Sequence, residues 1–267
     1  MMLSGLGTTL ALRVIDRSEA RQLDATAKDA QNARRIEAFL DRAGEISTVE
    51  AFIGDWEVYS FVLSAFDLDD QAFGKGMIRK IVESDASDKT SLVRRLTDGR
   101  FRELYDAVGF GPDGVSAAFS DPDWRAEMVD RFVQRQFINT QKDGNADLGA
   151  ALDFRLKAPE VRTWYDVLKS KEVAQVVRTA LGLPDSMATL DLDRQIEIFE
   201  SKMDLADFRD PEKRDAMERK FAAIADANAA MTRQATSPVL HLMQAGAAFT
   251  PVTFDMEAIA RMGRRVY

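Results

Sequence analysis

Apolar residues recur at intervals of three and four along most of this chain, and nowhere do they alternate with polar ones between two hairpin turns. Such intervals stack side chains on one face of an α-helix, whereas a half-buried strand needs an interval of two. The pattern therefore admits helices packed on helices and leaves no material for a sheet. Phe52, Ile53, Trp56, Tyr59, Val62, Leu63 and Phe66 make one stripe, and Phe73, Met77, Ile78, Ile81 and Val82 make the next. Phe101, Leu104, Tyr105 and Val108 continue it, followed by Trp124, Met128, Phe132, Val133 and Phe137. The second half behaves alike, with Leu148, Leu152 and Leu156, then Val173, Val176, Val177, Ala180 and Leu181. Ile196, Phe199 and Met203, and finally Met217, Phe221 and Ile224, complete the series. The predicted fold is all-α, a multi-helix bundle with negligible strand.

Start and stop signals support the same reading. Ser47-Thr48-Val49-Glu50 has the form of a capping box, with Ser47 as the cap and Glu50 reaching back, and Thr163-Trp164-Tyr165-Asp166 has a weaker one. Asp121-Pro122 and Asp210-Pro211 each place a capping acid before a proline at the first helical position. Asp88 is placed to cap a helix carrying Leu92, Val93 and Leu96, and Asp191 or Asp193 the helix with Ile196. Gly109, Pro159, Gly182 and Pro184 read as stops. These marks divide the chain into an N-terminal helical segment (1–44), a first helical unit (45–158), a second (159–236) and an apolar C-terminal tail (237–267). An internal echo links Val62–Leu68 with Val177–Leu183. Two related helical subdomains and chance similarity between helix–turn–helix segments both account for it.

Composition removes whole classes of chemistry. There is no cysteine, which excludes disulfides, thiolate nucleophiles, iron–sulfur clusters and cysteine zinc sites. The one histidine, His241, excludes a His-pair metal site, and it lies among Val239, Leu240, Leu242 and Met243 with no acid within five positions. With 36 basic against 44 acidic residues the net charge is −8, which argues against a nucleic-acid partner, because such binding rests on phosphate neutralisation. No stretch approaches the roughly 20 apolar residues of a membrane span. The first residues lack a basic segment, and glycine and threonine break their apolar run, so no cleaved signal peptide is expected.

Four stretches resemble ligand motifs and fail on inspection. Gly109-Phe110-Gly111-Pro112-Asp113-Gly114 spells G-x-G-x-x-G, but a helical stripe enters it where a dinucleotide site requires a strand. The oxygen-bearing residues Asp67, Asp69 and Gln71, Asp143, Asn145 and Asp147, and Asp191, Asp193 and Gln195 have the alternate spacing of a calcium loop. All three lack its glycine and its final carboxylate, and helix capping explains the aspartates. Paired carboxylates for acid–base work do not stand out from 44 acids. No catalytic, cofactor or metal-binding residue is assigned, and no cofactor is implied. The candidate partner contacts are the apolar residues of the broken tail, Leu240, Leu242, Met243, Phe249, Phe254, Met256 and Ile259, which need a cover.

Several segments together resemble an uncharacterised alphaproteobacterial family, domain of unknown function twelve-seventeen, whose genes commonly sit among flagellar genes. They include Arg35-Ile36-Glu37-Ala38-Phe39, Ala65-Phe66-Asp67-Leu68-Asp69 and Leu96-Thr97-Asp98-Gly99-Arg100-Phe101. Arg135-Gln136-Phe137 and Asn145-Ala146-Asp147 belong to the same set, and the strongest block joins Ala180-Leu181-Gly182-Leu183-Pro184 to Leu190-Asp191-Leu192-Asp193-Arg194-Gln195-Ile196. The likeness runs from about residue 1 to 225 and leaves out the tail after Ser237. It implies an all-helical protein with a flagellar connection and brings no catalytic residues. The expectation is a non-enzymatic protein acting through protein–protein contacts in flagellar assembly or structure, with a flagellar component or itself as partner. Its expected location is cytoplasmic or flagellum-associated, with export through the flagellar apparatus as one route. A cytoplasmic chaperone or regulator of flagellar export substrates, and an enzyme of unrecognised type, are the alternatives.

Overall fold

A computed structural model describes residues 5–235. Among them are thirteen α-helices and no strand, and extended backbone pairs only in an isolated antiparallel bridge between Thr48 and Val115. The fold is all-α, as the spacing predicts. The helices are α1 (Thr8–Ala27), α2 (Ala30–Ala43), α3 (Val49–Gly54), α4 (Trp56–Ala65), α5 (Lys75–Val82), α6 (Leu92–Arg95) and α7 (Gly99–Val108). After them come α8 (Pro122–Gly144), α9 (Ala146–Lys157), α10 (Trp164–Lys169), α11 (Lys171–Ala180), α12 (Leu192–Glu200) and α13 (Pro211–Ala235). The compact body ends at Asp226, and α13 continues as a helix beyond it.

Two hydrophobic cores fill this body. The first gathers α2 to α7 and the N-terminal half of α8, around a column in which Phe39 stacks on Phe61 (4.2 Å) and Phe61 on Phe132 (4.3 Å). The second gathers α1, the C-terminal half of α8, and α9 to α13, around Phe154, Trp164, Phe199, Phe208 and Phe221. At 23 residues, α8 is about 35 Å long and belongs to both. Met128, Phe132 and Val133 enter the first core, and Phe137 and Ile138 enter the second.

Local chemistry explains most helix boundaries. Asp121 accepts from Asp123 N–H ahead of α8, with Pro122 at the first position, and Thr163 and Asp166 form a reciprocal capping box on α10. Gly109 ends α7 in the left-handed conformation (φ 64°). Three boundaries differ from the sequence reading: Ser91, not Asp88, precedes α6, without a side-chain cap bond, and Asp88 accepts from Thr90 N–H instead; the other two are at α3 and α4. The cap of α3 is Thr48, which accepts from Ala51 N–H, while the Ser47 carbonyl accepts from Ser116 N–H beside the bridge. Glu50 turns instead to Arg79, at 2.7 Å. The stripe from Phe52 to Phe66 is also two helices, not one. Asp55 takes an extended backbone (φ −84°, ψ 100°) and accepts from Glu57 and Val58 N–H, ending α3 and capping α4. Trp56, next to this break, is 44% exposed, and Phe73, in the turn before α5, is 91% exposed, although both fall on apolar stripes.

The start of α1 depends on a residue 218 positions away. Its cap position is Gly7, which has no side chain to offer, and its first turn holds no acid. Asp226 supplies both carboxylate oxygens instead, accepting from Thr8 N–H (2.6 Å) and Thr9 N–H (3.0 Å). Burial pushes this carboxyl up, but the bonds from Thr9 and Thr8 outweigh it and hold the pKa below the ordinary value. A depressed pKa means stability that is present above the unfolded carboxylate value and lost as pH falls through the folded one. Thermal melts from pH 6 downward should therefore lose less stability in Asp226→Asn than in the wild type across the acidic range.

Close approach of α9 to α8 rests on Gly149, where an added Cβ would lie 2.4 Å from Cβ and 2.8 Å from Cα of Lys142. Gly149→Ala should cost about 1–3 kcal/mol in chemical denaturation, since the backbone itself must move. In α5, a methyl added at Gly76 meets nothing within 4 Å, so Gly76→Ala should be neutral or stabilising by about 0.5–1 kcal/mol.

Candidate functional site

A cleft of 1310 Å³ opens within the body. Its walls come from α2 (Arg35), the turn after α4 (Asp67, Asp69), the start of α7 (Asp98, Arg100), the end of α8 (Lys142), the end of α9 (Lys157) and α11 (Glu172). Behind it, where α8 passes from one core to the other, Arg135 is buried and bonds Asp153 of α9 at 2.6 Å. Their side chains are 6% and 1% exposed. Arg135 also lies 3.9 Å from Asp67.

These groups form a network with balanced charge. Arg35 donates to Ser64 Oγ (2.6 Å), and Ser64 in turn donates to Asp69. Burial lowers the Arg35 pKa, and the same guanidinium lies 4.8 Å from the centre of the Phe132 ring. Arg100 holds Asp98 through Nε and Nη2 and donates to the Asp67 carbonyl. Burial raises the Asp98 carboxyl, but the Arg100 bonds bring it below the ordinary range. Lys142 bonds Glu172 at 3.1 Å; burial works against both charges, yet the pair leaves the lysine raised and the carboxyl lowered.

Several charged groups on the cleft wall stand apart from this pairing, among them Lys169, Lys171, Asp143 and Glu160 as well as Lys157 and Asp67. Lys157 donates no hydrogen bond among the described residues, and its nearest carboxylate oxygen is Asp153 Oδ1 at 3.9 Å. The Asp67 carboxylate accepts none; Arg100 is 3.6 Å away and Arg135 3.9 Å. Asp153 Oδ2 also lacks a partner among the described residues. Among those residues no group of three or more histidine, cysteine, aspartate or glutamate side chains is arranged to hold a metal ion.

A second exposed feature lies at the start of α4. The Trp56 and Phe73 rings are 6.1 Å apart, and Lys75 Nζ sits 5.6 Å from the Trp56 ring and 5.4 Å from the Tyr59 ring. Lys75 is anchored by a 2.8 Å bond to the Ile53 carbonyl. Buried among these rings, the Tyr59 hydroxyl is pushed up to about 12.

The sequence-level patterns resolve into local structure. Gly109, Gly111 and Gly114 all adopt positive φ in the turn after α7. Asn145 caps α9, accepting from Asp147 and Leu148 N–H, while Asp191 precedes α12 without a side-chain cap bond. Asp193 accepts from the Tyr165 hydroxyl at 3.3 Å. His241 and the candidate contacts Leu240, Leu242, Met243, Phe249, Phe254, Met256 and Ile259 lie outside the described residues. Neither the cleft nor the aromatic pair emerges from sequence reasoning. One signal was available: Arg135 interrupts the apolar run of Phe132, Val133, Phe137 and Ile138, and Asp153 sits between Leu152 and Phe154.

A family model described as "Protein of unknown function (DUF1217)" matches residues 65–213. The chain belongs to the DUF1217 family. The matched span holds Asp67, Asp98, Arg100, Arg135, Asp153, Lys157 and Glu172, so most of the charged network is part of the DUF1217 region; Arg35 and Trp56 precede it. The fold is similar to the crystal structure of protein AGR_C_984 from Agrobacterium tumefaciens, with 26% identity and a TM-score of 0.73. That likeness covers 84% of this chain and 96% of the other, an alphaproteobacterial relative. No curated protein matches the chain. Within this DUF1217 protein, Arg135→Met should cost about 3–5 kcal/mol in denaturant titrations, because Asp153 would be left buried and unpaired. Replacing both partners with apolar residues, as in R135M/D153L, should recover most of that loss.

Proposed function

We propose that this protein acts by protein–protein contact in flagellar assembly or structure. The flagellar setting is what the family resemblance implies, and one structural observation carries the contact mode: the exposed pair Trp56–Phe73. A phenylalanine that is 91% exposed loses nothing by being covered, and large apolar side chains in water mark surfaces where a partner docks. The pair is also ordered in advance. Trp56 is held between Phe73, Tyr59 and the anchored Lys75, so little side-chain freedom remains to be lost on binding. Tryptophan is among the residues that most often dominate interface energies.

W56A/F73A in the full chain should fold with an unchanged helical spectrum, since neither ring is buried. It should weaken the partner's affinity about 30-fold or more, each anchor contributing on the order of 1 kcal/mol. In flagellated cells the variant should swim less far in soft agar than the wild type and recover less of a flagellar component on co-purification. Wild-type swimming and recovery in W56A/F73A would falsify the reading. Fractionation into cytoplasm and detached flagella tells a structural subunit from a cytoplasmic assembly factor.

A further inference from the structure

The echo between Val62–Leu68 and Val177–Leu183 is the visible part of a longer correspondence. Residues 39–68 align with residues 154–183 without a gap, at a constant separation of 115 positions. Nine of the thirty pairs are identical, Thr48 and Thr163 among them. The structure keeps the same register. α3 and α10 have six residues each, and α4 and α11 have ten each. Thr48 and Thr163 cap the shorter helices through their hydroxyls, and Asp55 and Ser170, again 115 positions apart, cap the longer ones. Both long helices end through a left-handed residue, Asp67 (φ 59°) or Gly182 (φ 69°), after which the next amide bonds back five residues, Leu68 to Leu63 and Leu183 to Arg178. Phe39 and Phe154, Ala43 and Ala158, and Val62 and Val177 are buried in both places.

Any one of these caps or stops is common by itself. Their recurrence in a single register, with the same side chains buried, is not explained by local chemistry. The order of elements repeats as well. α1, α2, α3 and α4 lead through a short 3₁₀ segment to α5, and α8, α9, α10 and α11 lead through another to α12.

The first helix of each set shows how the two are joined. Early in α1, Ala11, Leu12 and Ile15 are buried in the second core, whereas Ala27 at its end lies against the first. α8 does the reverse: Met128, Phe132 and Val133 enter the first core, and Phe137 and Ile138 the second. α1 packs on α8, and the crossed contacts are reciprocal, α1 on α9 and α8 on α2. Reciprocal contacts about a self-paired element are the mark of an isologous, two-fold interface. We infer that the body is a duplicated helical unit, folded as a helix-exchanged pair in which each copy's first helix completes the other copy's core. The copies differ where the cleft lies: Arg35 and Asp67 line it, and their counterparts are Ala150 and Gly182. The aromatic pair is likewise confined to one copy, since the counterpart of Trp56 is Lys171.

Hydrogen exchange of the full chain, read by mass spectrometry, tests the crossing of the helices. Val62→Ala and Val177→Ala open equivalent small cavities, one in each core. Val177→Ala should speed exchange about tenfold in the first half of α1 together with α9 to α12, and leave the first half of α8 unchanged. Val62→Ala should do the opposite, loosening the first half of α8 together with α2 to α5. The crossing is overturned if the first half of α1 follows Val62→Ala, if the first half of α8 follows Val177→Ala, or if both variants loosen every helix alike. A crystal structure of the full chain tests the duplication itself. Residues 39–68 should superpose on residues 154–183 by close to a half-turn. A different register, or a rotation far from a half-turn, overturns it.

Discussion

The charge at the centre of α8 sets the terms for the rest of the molecule. A helix that serves two cores must pass from one to the other, and Arg135 sits at that passage, between Val133 on one side and Phe137 on the other. A guanidinium there is costly unless it is paired, so α9 must present Asp153 within bonding distance. Gly149 makes that approach possible, because any Cβ at its position would press on the Lys142 backbone. The same helix pairing then brings Lys142 and Lys157 to the cleft wall. One buried ion pair thus links the packing of two helices to the chemistry of the site.

Helix identity was legible in the sequence because it depends on neighbours three and four residues apart. The Thr163–Asp166 box, the Asp121-Pro122 start and the Gly109 stop follow from local hydrogen bonding, and the structure shows each of them. What depends on distant groups was not legible. The cap of α1 comes from Asp226, and nothing near Gly7 announces it. The break at Asp55 was hidden because Trp56 and Tyr59 preserve the apolar spacing across it. Phe73 keeps the same spacing and yet lies in a turn, where periodicity says nothing about burial.

The cleft was less legible than the fold for a related reason. Its charges come from several helices and a turn, so no window of sequence contains two opposing walls. The echo between Val62–Leu68 and Val177–Leu183 gains a physical reading: both segments end a helix through a left-handed residue and the same backward amide bond. Similar sequence at these two places reflects a shared way of stopping a helix. The difference inside the echo, aspartate against glycine, is the informative part.

The aromatic pair and the cleft lie at opposite ends of α4. Trp56 opens that helix, and Asp67 follows its last turn, so ten residues, about 15 Å of helix, separate them. From Val58 to Ala65 nearly every residue of α4 is buried, and Phe61 is stacked between Phe39 and Phe132. A helix clamped this way neither bends nor rotates without opening the first core, since close-packed interiors resist small displacements. α4 therefore holds the aromatic pair and the cleft at a set spacing while keeping their chemistries apart. For that reason the aromatic pair and the cleft are held apart on one rigid support.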